Sequence, residues 1–454
     1  MANSNQKDLF GTDGIRGVAG EPPLDPATIF AVGLALGHNL GAKPASRRVV
    51  LGEDTRESSR WIAETLAAGL RQAEIEVVAA GVITTPGLAF LTTSERCGAG
   101  VMISASHNPY RDNGIKVFAS TGFKLPEEDE RAVTREIYRM LEGGEIRPAR
   151  LPLQPDSALV RHYEAFLRKA AGTSWKLPGR KLVVDCANGA ASALAPDVFS
   201  HYGMQVQTLS NQPDGRNINL DCGSLHLEKL PRAVLEAKAD LGAALDGDAD
   251  RALFVAADGR IVDGDGVLWA ASRSMQRGGT LTGGAVVGTV MTNLGLELAL
   301  AGEGLKLLRA PVGDKYVLED MQRSGANLGG EPSGHIIFRG FATTGDGLLT
   351  ALMVLRLLAE QGGSLAELVD GLEVFPQTIR NVRVREKTPL DQLPQVSAAI
   401  EAGQKRLGTS GRILVRYSGT ERLARVMVEA ASADDVDQVA AGIVHALEES
   451  LAAK

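Results

Sequence analysis

A pattern of strands and helices that recurs three times along the chain constrains the fold more than any other feature. Each copy opens with a β-rich run, continues through an amphipathic segment with helical periodicity and returns to a second β-rich run. The opening runs are 48–52, 181–185 and 285–289, the helical segments are 58–74, 190–202 and 294–303, and the second runs are 75–82, 204–209 and 305–310. Such alternation produces βαβ crossovers, so the sequence predicts three related α/β domains with mixed or parallel sheets.

Each copy then ends in an apolar or Gly/Ala-rich run that leads into a polar loop. These runs are 100–103, 241–245 and 327–328, and the loops that follow are 104–108, 246–251 and 329–335. Ligands of open α/β sheets bind at the carboxyl ends of strands, so the three loops are the first places to look for a functional site.

The pattern changes after about residue 375. Strands are predicted at 378–384, 412–415 and 424–430, and helices at 390–405 and 433–451. We therefore predict an α/β protein made of three mixed-sheet domains and a smaller C-terminal α+β domain. Turn-rich joints place the boundaries at 1–160, 161–262, 263–374 and 375–454.

Charge and composition exclude several classes of function. The chain has 48 Lys and Arg against 55 Asp and Glu, a net charge of −7, and no basic tract, so we expect no nucleic-acid partner. It also has no amino-terminal apolar segment and no apolar stretch of membrane-spanning length, which predicts a cytoplasmic protein without a membrane partner. Three cysteines without C-x-x-C spacing indicate neither a disulfide framework nor a zinc site.

The first apolar strand ends at a polar turn that carries Ser106, His107 and, ten residues after the serine, Lys116. This is a plausible place for a phosphorylated serine. A lone serine in such a turn more often caps the local backbone, so the other loops must decide.

The second loop holds Asp246, Asp248 and Asp250, separated by Gly247 and Ala249. Alternating carboxylates with small residues between them can wrap one hard cation, and oxygen-only ligands favour Mg²⁺, with Mn²⁺ as a substitute. The spacing is not that of an EF-hand, whereas a solvated acidic turn stays an alternative. The adjacent Arg251 could balance the acidic loop or neutralise phosphate oxygens.

Two further loops carry ligand-binding chemistry. Glu331, Ser333 and His335 offer donors and acceptors suited to sugar hydroxyls, although His335 could equally be a structural residue at a strand start. Near the carboxyl terminus, two arginines flank hydroxyl groups and a glycine in an arrangement typical of a phosphate cradle. Its members are Arg416, Ser418, Gly419, Thr420 and Arg425. No Walker loop or dinucleotide fingerprint occurs, and the charged run 127–139 is typical of a solvated helix face.

Five motifs now occur in one order along the chain: F-G-T-D-G-I-R-G, S-A-S-H-N-P, N-G-I-K, V-G-D-K-Y-V and S-G-T-E. The set resembles the α-D-phosphohexomutase superfamily over essentially the whole chain, and within it the bacterial branch that acts on glucosamine phosphates. The resemblance implies four domains around a central cleft. It also implies that Ser106, rather than Ser104, carries a phosphoryl group, and that Ser106 and the three aspartates bind one Mg²⁺.

The resemblance further implies roles for the remaining site residues. Arg16 and Lys116 would stabilise the transferred phosphoryl group, and either His335 or Lys116 would act as general base. The residues implied to bind substrate are His107, Arg251, Glu331, Ser333, Arg416, Ser418, Gly419, Thr420 and Arg425.

The implied activity is an intramolecular phosphotransfer that interconverts glucosamine 6-phosphate and glucosamine 1-phosphate, for synthesis of UDP-N-acetylglucosamine and cell-wall precursors. Glucosamine 1,6-bisphosphate or glucose 1,6-bisphosphate would serve as intermediate or activator. Phosphomannomutase or phosphoglucomutase activity is the alternative, because Pro332 stands where Gln is common. A homodimer stays open, as does the first phosphorylation of Ser106, by a priming kinase or by autophosphorylation.

Other departures from the family pattern concern the backbone. Ala249 replaces a common Gly, which matters only if that position needs a positive φ. Tyr417 and Arg422 replace prolines that usually flank the phosphate loop.

Overall fold

The computed structural model describes residues 8–41, 46–144, 146–418 and 422–451. The chain divides into two compact units, one made of Met1–Val290 and Leu308–Asp370 and the other of Met291–Leu307 and Gly371–Lys454. Within the described ranges, no helix combines the length and apolar character needed to cross a membrane.

The first sheet contains five strands in the order β1-β5-β4-β2-β3. Its elements are β1 (Ile15–Val18), α1 (Pro26–Gly41), β2 (Arg48–Glu53), α2 (Ser59–Gln72), β3 (Glu76–Val82), α3 (Thr85–Ser94), β4 (Ala99–Ile103), β5 (Asp112–Ala119) and α4 (Glu127–Glu142). Strand β2 pairs in parallel with β3 and β4, whereas β5 runs antiparallel to β4 and β1. Every residue of β4 is buried, as expected for a strand covered on both faces.

The second sheet repeats this arrangement in the order β10-β9-β8-β6-β7. Its elements are α5 (Ser157–Ala171), β6 (Lys181–Asp185), α6 (Leu194–Ser200), β7 (Gln205–Leu209), α7 (Lys229–Ala237), β8 (Leu241–Leu245), β9 (Ala252–Ala256) and β10 (Ile261–Val262). Strand β6 is parallel to β7 and β8, and β9 returns antiparallel to β8.

The third sheet has the order β12-β11-β13-β14. Its elements are α8 (Gly264–Arg277), β11 (Ala285–Thr289), α9 (Leu294–Gly302), β12 (Lys306–Ala310), α10 (Asp314–Ser324), β13 (Leu328–Gly330), β14 (Ile336–Phe338), α11 (Gly347–Gln361) and α12 (Leu365–Leu368). Strand β13 is parallel to β11 and antiparallel to β14, as β4 is to β2 and β5 in the first sheet and β8 is to β6 and β9 in the second.

The C-terminal sheet is antiparallel, in the order β15-β17-β16. Its elements are β15 (Gln377–Arg383), α13 (Pro394–Leu407), β16 (Gly411–Tyr417), β17 (Leu423–Ala430) and α14 (Ala433–Leu451). Buried Val426 and Val428 of β17 share an apolar core with Val439 and Ile443 of α14, which gives a two-layer α+β arrangement.

The predicted fold class, three related mixed-sheet α/β domains and a smaller α+β domain, is confirmed, whereas the boundaries at residues 160, 262 and 374 stay predictions. Three local predictions were wrong. The helix expected from residue 190 begins at Leu194 after a series of turns, and the helix expected from residue 390 begins at Pro394. Lys116 lies not in a turn but within β5, opposite Met102 of β4.

The repeated topology gives the three polar loops equivalent places. In each α/β sheet the predicted loop joins the third strand of the repeat to the antiparallel strand that follows it, namely β4 to β5, β8 to β9 and β13 to β14. All three of these connections belong to the first compact unit.

Candidate active site

The three aspartates of the β8–β9 loop form a buried carboxylate cluster. Asp246, Asp248 and Asp250 each offer an oxygen within 4.8 Å of the others. Asp248 Oδ1 and Asp250 Oδ1 are buried without a hydrogen-bond partner. Buried, unpartnered carboxylate oxygens that converge in this way fit a hard divalent cation such as Mg²⁺.

Electrostatics within the cluster agree with this assignment. Burial and the charges of Asp250 and Asp248 raise the pKa of Asp246 well above its ordinary value. Burial also opposes ionisation of Asp250, but Lys116, His335 and Arg251 outweigh it and lower the pKa of Asp250. Three carboxylates held together therefore repel one another, and a bound cation would relieve that repulsion.

The backbone of the loop bends sharply at Ala249, whose φ is 55°. The position therefore does need the left-handed conformation, in which glycine is favoured over alanine. Ala249 is fully buried, and its carbonyl accepts a hydrogen bond from the Gly347 N–H at the start of α11 (2.9 Å).

Ser106 faces this cluster from the β4–β5 loop. Its Oγ donates a hydrogen bond to Asp246 Oδ2 (2.7 Å), and the side chain is almost completely buried. Its φ of 52° is left-handed, a conformation that costs a non-glycine residue about 1–2 kcal/mol. Ser104 Oγ accepts the Ser106 N–H (2.9 Å) and donates to Asp54 Oδ2 (2.7 Å), so Ser104 shapes the loop from behind.

Lys116 brings a buried positive charge to the same cluster. Its Nζ lies 2.8 Å from Asp248 Oδ2, 3.3 Å from Asp13 Oδ2 and 3.8 Å from Asp250 Oδ2. Burial favours the neutral amine, but these three carboxylates outweigh it and raise the pKa of Lys116. The three carboxylates therefore favour the ammonium form of Lys116.

Arg16 reaches the site from β1 through a pair with Asp13. Asp13 also accepts from Lys124 Nζ (2.9 Å). Burial raises the pKa of Asp13, but Lys116, Lys124 and Arg16 together lower it well below its ordinary value. The turn before β1 requires glycine, because Gly14 has a φ of 81° and a Cβ there would lie 2.3 Å from the Ile115 carbonyl oxygen.

His335 is buried beside the carboxylate cluster. Its Nδ1 lies 3.7 Å from Asp250 Oδ1, and its Nε2 accepts a hydrogen bond from the Gly345 N–H (2.9 Å). Burial lowers the pKa of His335, but Asp250, Asp314 and Glu331 outweigh it and raise the value to about 9. The bond from Gly345 favours the neutral ring with its proton on Nδ1.

The other polar residues of the 329–335 loop, which was predicted to bind sugar hydroxyls, form a small hydrogen-bonded network. Glu331 Oε1 accepts the Gly313 N–H (3.0 Å), and Ser333 Oγ donates to Glu331 Oε2 (3.3 Å). The Pro332 carbonyl accepts the Gly264 N–H (3.1 Å). Glu331 therefore joins this loop to the V-G-D-K-Y-V segment.

His107 and Arg251 also lie at the site. His107 Nδ1 is 3.2 Å from Ser106 Oγ, and burial together with the charges of Arg251 and Arg16 lowers the pKa of His107 to about 4. Arg251 donates its backbone N–H to Asp246 Oδ1 (3.2 Å), and its Nε lies 3.8 Å from Asp250 Oδ1. His107 therefore lies beside the serine, and Arg251 lies beside the aspartates.

The predicted phosphate cradle lies in the second compact unit. Arg416 of β16 and Arg425 of β17 are direct cross-strand partners. Like charges in that position destabilise a sheet, which favours an anionic partner nearby. Ser418 follows β16 and donates its N–H to the Leu423 carbonyl (2.8 Å), whereas Gly419 and Thr420 lie outside the described residues.

Sequence reasoning missed several residues of the site. Lys124 Nζ pairs with Asp13 and with Asp314 Oδ2 (2.8 Å), and a buried ion pair between Asp54 and Arg56 lies behind the Ser106 loop. The D-T-R sequence directly after β2, at the carboxyl end of a parallel strand, was the available signal.

Comparison with known proteins places these features in a family. Models of phosphoglucomutase/phosphomannomutase match all along the chain: alpha/beta/alpha domain I at residues 7–142, domain II at 161–259, domain III at 263–375 and the C-terminal domain at 380–446. The phosphoglucosamine mutase of Solibacter usitatus (strain Ellin6076) is 51% identical over 96% of this chain and 97% of its own length. That of Koribacter versatilis (strain Ellin345) is 52% identical over 98% and 97%.

Solved structures agree on the fold. A phosphoglucomutase/phosphomannomutase family protein from Burkholderia thailandensis superimposes with a TM-score of 0.79 at 24% identity, over 98% of this chain and 97% of that one. The Aspergillus fumigatus N-acetylphosphoglucosamine mutase, in complex with GlcNAc-6P and magnesium, gives a TM-score of 0.67 at 20% identity, over 97% and 95%. With the four domain matches and the full-length relatives, the chain belongs to the phosphoglucomutase/phosphomannomutase family.

Proposed function

We propose that this protein is a phosphoglucosamine mutase that interconverts glucosamine 6-phosphate and glucosamine 1-phosphate. Two bacterial phosphoglucosamine mutases that share about half of its residues over nearly the full length support this activity. The observation that carries the chemistry is Ser106 Oγ, which lies 2.7 Å from Asp246 Oδ2 in the carboxylate cluster.

In this proposal phosphorylated Ser106 transfers its phosphoryl group to the free hydroxyl of the hexose monophosphate. The P–O bond to Ser106 breaks, a P–O bond to the sugar oxygen forms, and the proton of the sugar hydroxyl passes to Ser106 Oγ, which becomes a hydroxyl group again; the product is the 1,6-bisphosphate. Transfer of the other phosphoryl group back to Ser106 leaves the isomerised monophosphate. Glucosamine 1,6-bisphosphate is then the intermediate, and glucose 1,6-bisphosphate can load the serine.

Several side chains are placed to assist this transfer. Asp246, Asp248 and Asp250 would hold one Mg²⁺ together with an oxygen of phosphorylated Ser106. When bound, the cation would neutralise charge on the phosphoryl oxygens. Lys116 and Arg16 would donate hydrogen bonds to the same oxygens, since both are cationic and lie beside the cluster. The pair with Asp248 favours a donor role for Lys116, and the Gly345 N–H on its Nε2 favours the same role for His335, so we assign neither as the general base.

Substrate contacts complete the proposal. Glu331 and Ser333 would bind sugar hydroxyls, with His107 and Arg251 beside the serine. The cross-strand arginines Arg416 and Arg425, with Ser418, Gly419 and Thr420, would bind a phosphate. The four domain boundaries, a homodimer and the source of the first phosphate on Ser106 stay predictions.

Side-by-side turnover of glucosamine 6-phosphate, mannose 6-phosphate and glucose 6-phosphate tests the substrate. We expect the highest kcat/KM with the amino sugar, with Mg²⁺ and a trace of glucose 1,6-bisphosphate present. Ser106→Ala is the control for contaminating activity. If glucosamine 6-phosphate is the poorest of the three, the assignment is wrong and a phosphomannomutase or phosphoglucomutase, compatible with Pro332, replaces it.

A further inference from the structure

The main-chain carbonyl of Ser106 is held as tightly as its hydroxyl group. The left-handed φ of 52° separates the two groups, so that Oγ meets Asp246 while the carbonyl oxygen points to other side chains. That oxygen accepts hydrogen bonds from Arg56 Nη2 and Asn219 Nδ2, each at 2.9 Å. The conformation of the serine is thus coupled to two residues that lie outside the predicted site.

Arg56 extends this contact along the whole loop. Besides the Ser106 carbonyl, its guanidinium donates to the carbonyls of Asn108 (2.9 Å) and Pro109. Its Nε donates to Asp54 Oδ2 (2.8 Å), and neither side chain of this pair has any solvent exposure. A planar fork with five donors can bind a carboxylate and three carbonyls at once, which the single ammonium group of lysine cannot do.

Asn219 supplies the same contacts from the second α/β sheet's side of the loop. Its Nδ2 donates to the carbonyls of Ser106 (2.9 Å) and Asn108 (3.1 Å), and the residue is itself buried in a left-handed conformation with a φ of 57°. The 246–251 loop, which carries the three aspartates, packs against the same carbonyl. A Cβ at Gly247 would lie 2.6 Å from the Ser106 carbonyl oxygen.

Arg56 and Asn219 together form a clamp on the Ser106 carbonyl, and Asp54 connects this clamp to Ser104 at the start of the 104–108 loop. Its carboxylate accepts Ser104 Oγ as well as Ser59 Oγ, both at 2.7 Å. Ser104 in turn accepts the Ser106 N–H (2.9 Å). Asp54 therefore holds the Ser106 N–H through Ser104, and Arg56 holds the Ser106 carbonyl. Asp54 and Arg56 form one buried ion pair.

We propose that Arg56 is a positioning residue for phosphoryl transfer, which together with Asn219 holds the Ser106 carbonyl so that Oγ faces the aspartate cluster. This inference rests on the proposed function, in which Ser106 carries the phosphoryl group. Arg56 touches no reacting atom, so it acts through the orientation of the serine. Loss of the clamp should affect the rate of transfer rather than the affinity for the sugar phosphate.

The test compares Arg56→Lys and Asn219→Ala with Val183→Ala. Val183 is a buried residue of β6 in an apolar core with Leu230 and Val234, so its truncation reports the effect of lost stability. For each variant, kcat and KM are measured well below the thermal midpoint, and the rate of phosphoryl transfer from the phosphorylated enzyme is measured in a single turnover. Because a misplacement of about 1 Å can cost about 10²-fold in rate, we expect Arg56→Lys to lose about that factor in kcat and in single-turnover rate, with KM unchanged.

Three outcomes would overturn the proposal: wild-type kcat in Arg56→Lys, a loss confined to KM, or a loss no greater than that of Val183→Ala at an equal drop in thermal midpoint. If Arg56→Lys does not fold, Asn219→Ala decides, since it removes one donor from the same carbonyl and should also lower kcat at constant KM. Intact mass of the wild-type protein after exposure to glucose 1,6-bisphosphate distinguishes failure of the proposed function from failure of the positioning role of Arg56. Absence of phosphate on Ser106 there would refute the proposed function itself, whatever the variants show.

Discussion

Asp346, at the start of α11, should make the stability of the first compact unit depend on pH. Its Oδ1 accepts the Leu349 N–H (2.9 Å) as a helix N-cap, and its Oδ2 accepts the Tyr163 hydroxyl (2.8 Å). The side chain is buried, and burial raises its pKa from 3.8 to about 6. The folded state therefore holds the proton more tightly than the unfolded chain does.

The sign and size of the effect follow from linkage. Because the folded pKa is the higher one, Asp346 contributes most to stability below pH 3.8, and this contribution is lost as the pH rises through about 6. Two pKa units correspond to about 3 kcal/mol over the whole window, and about 1.4 kcal/mol of this falls between pH 5 and pH 7.5. Asp346→Asn keeps the capping oxygen but cannot ionise, so it lacks this contribution.

The assay is urea unfolding of both proteins at pH 5 and pH 7.5 in Mg²⁺-free buffer, followed by tryptophan fluorescence. All three tryptophans, Trp61, Trp175 and Trp269, belong to the first compact unit, so the signal reports on that unit. The difference in unfolding free energy, variant minus wild type, should rise by about 1.4 kcal/mol from pH 5 to pH 7.5.

Asp156→Asn is the matched control, since Asp156 caps α5 through the same type of bond, to the Ala158 N–H (2.9 Å), but is exposed. Its difference in unfolding free energy from the wild type, measured at the same two pH values, is the baseline for the Asp346→Asn change. An Asp346→Asn difference that is equal at both pH values would refute the reasoning.

Three further predictions concern the site and its supports. Asp248→Asn should abolish Mg²⁺ binding measured by calorimetry and lower kcat by about 10²-fold or more. Asp258→Asn, at an exposed position, should change neither the Mg²⁺ affinity nor kcat. Unchanged Mg²⁺ affinity in Asp248→Asn would contradict the metal assignment. Lys116→Met leaves buried Asp248 without its cationic partner, whereas Asp13 keeps Arg16 and Lys124, so the unfolding free energy in Mg²⁺-free buffer should fall by about 3–5 kcal/mol. A loss below about 1 kcal/mol would argue against a buried pair. Gly14→Ala should lower the thermal midpoint more than Gly20→Ala, because both have positive φ but only Gly14 faces a backbone clash, and equal shifts would show that the clash is relieved.

The order of strands and helices could be predicted because each copy of the repeat shows it in its own pattern of apolar runs and helical periodicity. Buried strands such as Ala99–Ile103 and Leu241–Leu245 are short apolar runs that end at polar residues, and the loops that follow carry chemistry recognisable from residue type alone. Helix starts were less accurate. Pro394 sets the first turn of α13, and the residues before it form a separate short turn that periodicity cannot distinguish.

The supporting residues of the site could not be predicted because they depend on contacts between distant segments. Lys116 is on a strand only because β5 pairs with both β4 and β1, and nothing near it in sequence shows that pairing. Arg56 is 50 residues from Ser106, and Asn219 is 113 residues from it. The loops could be identified from the sequence because each follows an apolar strand. The left-handed φ of Ser106 and Ala249 could be seen only in the structure.

The central claim, that Ser106 is the phosphoryl carrier, is tested most directly by intact-protein mass spectrometry after incubation with glucose 1,6-bisphosphate and Mg²⁺. The wild-type protein and Ser104→Ala should each gain the mass of one phosphoryl group. Ser106→Ala should gain none and should not turn over glucosamine 6-phosphate. Phosphorylation or full mutase activity of Ser106→Ala would contradict the account.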